Sequence, residues 1–164
     1  MKDDPFRQLY ESCSREIYLY LLSLTKDSRL AEDLMQDTFL KALLSLDDSH
    51  ANLKAWLYTV ARNLFYDHVR RKKRESSFEE AQAADASVGP DELLMEKLQN
   101  EALRDAIMHL DPIKREVIVL QYFSGLSAKE IAQVMRISNE NVRVISFRAK
   151  KEMKRFMEEE YEVQ

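Results

Sequence analysis

The sequence predicts an all-α protein of two small helical domains joined by a flexible acidic linker, the C-terminal domain containing a helix-turn-helix. Three observations predict it. Only 2 Gly and 3 Pro occur in 164 residues, far too few for the turns of a β-rich chain of that length. Apolar residues recur at spacings of three and four along most of the chain, as amphipathic helices require. Between residues 75 and 91 that periodicity fails, the residues become small, acidic or polar, and the stretch ends at Gly89-Pro90, which marks a boundary. The expected division is an N-terminal domain over residues 1–75, a linker over 76–92 and a C-terminal domain over 93–164.

In chain order, residues 6–24 form a first helix with Phe6, Leu9, Tyr10, Cys13, Ile17, Tyr20, Leu21 and Leu24 on one face. Asp27-Ser28 offers an N-cap to a second helix over 29–46. Its predicted core face is Leu30, Leu34, Phe39, Leu43 and Leu46, and its outer face carries Glu32, Asp33, Gln36 and Asp37. After a polar loop over 47–52, Asn52 caps a third helix, whose predicted buried stripe is Trp56, Leu57, Val60, Ala61, Leu64, Phe65 and Val69. Trp56 and Phe65 are read as core, with Tyr58 and Tyr66 less committed. Beyond the linker a helix resumes through Leu93, Leu94, Leu98, Leu103, Ile107 and Leu110. Asp111-Pro112 starts the next, a cap followed by proline at the first helical position, and Ser124-Gly125 stops it.

Charge is distributed in blocks. Residues 54–74 carry 7 basic and 1 acidic residue, residues 75–106 carry 2 and 9, and residues 136–155 carry 7 and 2, within a total of −4. Two basic blocks around an acidic one suit a protein with two anion-binding faces. The acidic stretch is either a solvated, self-repelling spacer or a mimic of nucleic acid that competes for basic surfaces.

Several functions are disfavoured. Cys13 is the single cysteine, so neither an internal disulfide nor a thiolate metal cage is expected; a half-buried core position suits it. His50, His68 and His109 have no metal-ligand spacing, and no nucleophile triad or phosphate loop is present. The expectation is a non-enzyme with no cofactor and no small-molecule substrate. The N-terminus lacks a secretory layout, and no apolar run approaches the ~20 residues of a membrane span. No membrane insertion and a cytoplasmic location are expected.

The most informative stretch is 126–151. Ser127 and Glu130 spell a capping box, so a short helix starts there, with Ile131, Ala132 and Val134 inward. Ile137-Ser138 turns the chain, and Ser138 or Asn139 caps a longer helix through about residue 156. Two helices joined by a three- to four-residue turn, the second basic, describe a helix-turn-helix. By helical angle Val142, Ile145, Ala149, Met153 and Phe156 pack inward. Glu140, Arg143, Val144, Phe147, Lys151 and Lys154 face out, flanked by Arg148 and Lys150. A basic outer face with an exposed aromatic suits the major groove of DNA. The other basic block, ending the third helix at His68-Val69-Arg70-Arg71-Lys72-Lys73-Arg74, is either a solvated terminus complementing the helix dipole or part of a surface for unpaired DNA.

Both halves together resemble the extracytoplasmic-function class of bacterial sigma factors. Ala31-Glu32-Asp33-Leu34-Met35-Gln36-Asp37-Thr38-Phe39 looks like that family's second-helix signature. Ala55-Trp56-Leu57-Tyr58-Thr59-Val60-Ala61-Arg62-Asn63, with Asp67 and the basic run from Arg70, looks like its promoter-melting helix. Leu110-Asp111-Pro112, Glu130-Ile131-Ala132 and Phe147-Arg148-Ala149-Lys150 look like its C-terminal domain. The resemblance implies a subunit that binds core RNA polymerase and promoter DNA and is restrained by an anti-sigma factor. It places core binding on Asp33, Gln36 and Asp37. Minus-10 contacts fall on Asp47, Asp48, Ser49, Asn52, Lys54, Arg62, Asn63, Arg70 and Arg71. Minus-35 reading falls on Arg143, Val144, Phe147 and Arg148, and the basic outer face adds Lys151 and Lys154 as expected phosphate contacts. The family's usual Gly-Thr before the recognition helix is Glu140-Asn141 here, and Val144 replaces a usual Ser or Thr. Valine cannot donate a hydrogen bond, so a thymine methyl contact is expected there. A helix-turn-helix regulator acting on duplex DNA alone is the alternative, and a helical adaptor without nucleic acid is a third class.

Overall fold

A computed structural model describes residues 5–45, 52–75 and 101–160. The predicted linker, Leu46, the loop residues Asp47, Asp48 and Ser49, and Leu93, Leu94 and Leu98 lie outside the described residues. The chain divides into two units, Met1–Gly89 and Pro90–Gln164, and every described element is helical.

In the first unit α1 (Pro5–Thr25), α2 (Ser28–Ser45) and α3 (Leu53–Glu75) pack pairwise into a three-helix bundle. Local chemistry sets the ends. Lys26 takes a left-handed φ of 56° and returns its N–H to the Leu22 carbonyl at 2.8 Å, closing α1. Asp27 Oδ1 then accepts the N–H groups of Arg29 and Leu30 at 3.1 and 3.2 Å, so Asp27 caps α2 as expected. Asn52 Oδ1 accepts the Ala55 N–H at 3.0 Å and starts α3. Ile17, Tyr20, Leu21, Leu57, Tyr58 and Ala61 are fully buried, and the Tyr20 and Tyr58 rings meet edge-on at 5.3 Å.

Four expectations for this unit are corrected. Leu43 is not core: its side chain stands in solvent, and α2 instead buries Ala31, Leu34, Met35, Thr38, Phe39 and Ala42. Small Ala31 and Ala42 are both wholly buried on that face, whereas Leu40, Leu43 and Leu44 are exposed. In α3 the buried ridge is Ala55, Leu57, Tyr58 and Ala61. Tyr58 is therefore core, Trp56 and Phe65 are half-buried, and Val69 is exposed. Tyr10 is more exposed than its face suggested, although its ring still packs on Phe39 at 4.9 Å. Cys13 is buried rather than half-buried.

The second unit contains α4 (Glu101–His109), α5 (Pro112–Ile118), a π-helical segment (Val119–Phe123), α6 (Ala128–Met135) and α7 (Asn139–Glu160). α7 packs against α4, α5 and α6, so the longest helix of the unit is also its spine. Ile107, Leu110, Ile118 and Ala149 form a core flanked by Leu103, Phe123 and Met153. The Arg115 guanidinium donates to the Met108 and Leu110 carbonyls at 3.0 and 2.8 Å, satisfying carbonyls at the end of α4. Both halves of the capping box form: Glu130 N–H donates to Ser127 Oγ at 3.1 Å, and Ser127 N–H donates to Glu130 Oε1 at 2.8 Å. Arg136 ends α6 with a left-handed φ of 60°. Ser138 rather than Asn139 caps α7, its Oγ accepting the Asn141 N–H at 3.0 Å. Ala132 is only half-buried, and Met135 takes the inward place expected of it.

Asp111 caps α5 through the Lys114 N–H at 2.9 Å. That backbone hydrogen bond, with the Lys114 charge beside it, holds the Asp111 carboxyl below its ordinary range. Because the folded value is depressed, this contribution is complete above about pH 4 and is lost as pH falls through the folded value. Asp111→Ala is expected to destabilise the C-terminal unit by about 1 kcal/mol at neutral pH. The difference should shrink in acid, as checked by urea unfolding at pH 7 and pH 3.

Candidate nucleic-acid and protein interfaces

Asp33, Gln36 and Asp37 are all exposed on α2, on the side opposite the buried Ala31, Thr38 and Ala42. The same stripe continues at spacings of three and four into Leu40, Leu43 and Leu44, which are 54%, 53% and 77% exposed. Isolated surface leucines need no explanation, but three at helical spacing on one face form an exposed apolar stripe. Sequence reading missed this patch by counting Leu43 as core. The signal was available: Leu40 and Leu44 sit three and four residues along from Asp37 and Leu40 respectively.

On α3 the basic residues have two characters. Arg62 is half-buried with its guanidinium 4.7 Å from the centre of the Tyr66 ring, and Tyr66 meets Phe65 edge-on at 4.8 Å. Arg62, Tyr66 and Phe65 thus form a cation–π and aromatic cluster suited to stacking on a base. Asn63 is exposed one residue on, and Arg71 is exposed near the end of the helix. Arg70 is exposed and ion-paired with Asp67, a surface pair of little stabilising value that a phosphate could displace. Lys54 is half-buried in the first turn. Asn52 is committed to its capping bond, so its side-chain oxygen already has a structural task.

In the second unit the expected outer face of α7 is confirmed residue by residue. Arg143, Val144, Phe147, Arg148, Lys151 and Lys154 are all exposed, Phe147 to 66%. Val142 and Ala149 are buried on the opposite side, while Ile145, Met153 and Phe156 are half-buried. Glu140 is exposed in the first turn, where its charge complements the helix N-terminus. α7 is held to α5 by Lys114, which pairs with Glu152 of α7 as well as with Asp111 at 3.4 Å. The helix therefore presents a basic surface with one large aromatic from a fixed platform.

Comparison with known proteins agrees with this geometry. Residues 9–75 match the family model for Sigma-70 region 2, and residues 100–153 match that for Sigma-70 region 4. The ECF RNA polymerase sigma factor SigM of Bacillus subtilis is 34% identical over 90% of this chain and 91% of its own. The chain belongs to the extracytoplasmic-function sigma factors. It therefore directs promoter-specific transcription initiation by bacterial RNA polymerase. The sigma factor YlaC of Bacillus subtilis is 32% identical over 94% of this sigma factor and 92% of its own length. Among solved structures, the sigma factor RpoE of Bartonella quintana, in complex with the anti-sigma factor NepR, superposes with a TM-score of 0.72. It is 25% identical, with 93% of this chain and 96% of that one covered. CnrH in complex with the cytosolic domain of CnrY follows at 0.64 and 25% identity, over 94% and 88%.

Proposed function

We propose that the work of this sigma factor is divided by surface. The α2 stripe of Asp33, Gln36 and Asp37, extended by Leu40, Leu43 and Leu44, docks on core RNA polymerase. α3 engages the minus-10 element through Arg62, Asn63, Arg70 and Arg71, and α7 reads the minus-35 element through Arg143, Val144, Phe147 and Arg148. Lys151 and Lys154 hold phosphate. In this reading residues 1–75 and 93–164 act as the two promoter-binding domains, with 76–92 as an acidic linker. Asp47, Asp48 and Ser49, with Lys54, complete the minus-10 contacts.

The single observation carrying the reading is the outer face of α7. A phenylalanine 66% exposed among arginines and lysines has no use in a helical bundle, while the inner face of the same helix is packed. The protein acts as a binding subunit without chemistry of its own, in the cytoplasm where its polymerase resides. Among the described residues no helix is long and apolar enough to cross a membrane. Restraint by an anti-sigma factor is supported by the complexes of RpoE with NepR and of CnrH with CnrY.

The deciding experiment adds the chain to core polymerase and a library of promoter templates and sequences the transcripts. Initiation confined to a shared pair of elements, and dependent on the chain, is the expected result. Specific duplex binding without any effect on core polymerase would establish a stand-alone regulator instead. Within the same assay, Lys154→Ala should weaken promoter binding evenly across sequences and reduce the salt slope by about one. A salt slope equal to wild type removes Lys154 from the phosphate contacts.

A further inference from the structure

The turn between α5 and α6 holds two contacts that the surfaces above do not use. Both come from the π-helical segment. Gln121 Oε1 accepts a hydrogen bond from Ser146 Oγ of α7 at 2.8 Å. Next to it, the Tyr122 ring lies 5.2 Å beneath the Lys150 ammonium. Ser146 and Lys150 are one turn apart on α7, so adjacent residues of the π segment grip consecutive turns of that helix.

The wide turn is what brings them there. A π segment bonds i to i+5 and absorbs one residue more than an α-turn, as the Ser124 N–H to Val119 carbonyl bond of 3.0 Å shows. One residue corresponds to about 100° of rotation. Val119 and Leu120 remain buried in the core while Gln121 and Tyr122 reach α7.

Ser146 is a polar side chain only 6% exposed, in a helix whose other buried residues are Val142 and Ala149. A buried hydroxyl is tolerated only when its hydrogen bond is met, and Gln121 meets it. Apolar packing alone constrains the rotation of a helix loosely, because similar contacts persist through small rolls. A directional bond does not permit that freedom. Arg143 and Phe147 project outward from the same turn as Ser146. A roll of ~20° displaces a side-chain end ~6 Å from the helix axis by about 2 Å, enough to break a base contact.

We propose that Gln121, through Ser146, is a positioning residue for minus-35 recognition: it sets the roll of α7 and thereby the base preference of the sigma factor. The inference rests on α7 being the minus-35-reading helix.

The test uses the full chain assembled with core polymerase on templates carrying every single-base substitution across the minus-35 element, with a parallel set across the minus-10. Gln121→Met removes the acceptor at nearly constant shape, and Ser146→Ala removes the donor. Each should shrink the spread between the best and worst minus-35 templates by about fivefold, the lower range for one base contact. The double variant should do no more than either single change. Gln121→Glu keeps an acceptor and should restore the wild-type order, and the minus-10 order should not change in any variant. A bond that only stabilises the fold would lower the melting temperature and reduce all transcription evenly, leaving the minus-35 spread and order intact; that outcome overturns the proposal. Phe147→Ala serves as the reference. If it changes the minus-35 order and Gln121→Met does not, the positioning role alone falls. If Phe147→Ala also leaves the order unchanged, the assignment of α7 falls and the positioning role with it.

Discussion

Alanine at both Gln36 and Asp37 is expected to weaken binding to core RNA polymerase by about tenfold or more, while the unfolding free energy of the sigma factor should stay within about 0.5 kcal/mol of wild type. Neither side chain contributes to the bundle, because both are exposed on the face of α2 remote from Ala31 and Ala42. The loss in binding therefore measures the interface. The neighbouring leucines sharpen the expectation. Leu40→Ser with Leu43→Ser removes apolar surface that is more than half exposed in the free protein, so folding should change by only about 1 kcal/mol, chiefly through helix propensity. If the leucines form the dry centre of the docking site and the acidic residues its rim, the leucine pair costs more affinity than the polar pair and Asp33→Ala costs least. Titration of labelled core polymerase with the variants reads the order directly. Unchanged affinity in all three variants would remove α2 from the interface.

What the sequence disclosed and what it concealed divide along the range of the interaction involved. Asp27, Asn52, Asp111, Ser127 and Ser138 all cap helices as their residue types and spacings indicated, because a cap is settled within three or four residues. The outer face of α7 was legible for the same reason: its polar and apolar residues follow one helical period. Leu43 was misplaced and Tyr58 left uncommitted because burial depends on which side the neighbouring helices approach. Helix period alone weights large apolar residues above Ala31 and Ala42. The π segment has no compositional signature, so residues 112–123 read as one helix. The Ser146–Gln121 bond spans 25 residues of sequence, and nothing local to either residue announces it. Of the expected DNA contacts, the α7 set was found on one surface. The α3 set divides between the Arg62–Tyr66 cluster and the exposed basic end.

Arg148→Ala is expected to abolish discrimination at one base pair of the minus-35 element, a loss of about 1–3 kcal/mol, while reducing the salt dependence of binding less than the loss of a phosphate contact of equal charge would. The distinction between Arg148 and Lys154 is chemical. A guanidinium presents a planar fork of donors that matches two acceptors on one base edge, whereas an ammonium is a rotatable point charge. Arg148→Lys should therefore behave like Arg148→Ala in the ranking of templates, although it keeps the charge. Phe147 supplies the second half of the expectation. Its ring is exposed beside Arg148 and Val144, and all three can meet base edges when α7 enters the groove. Phe147→Ala removes an apolar contact that thymine methyl groups reward and cytosine does not, so preference for thymine should decline at one or two positions. Lys151→Ala is the control: it should lower affinity on every template by the same factor. Competition binding of holoenzyme to templates with single substitutions separates these outcomes. If Arg148→Lys retains the wild-type ranking, charge alone suffices at that position and Arg148 is a backbone clamp.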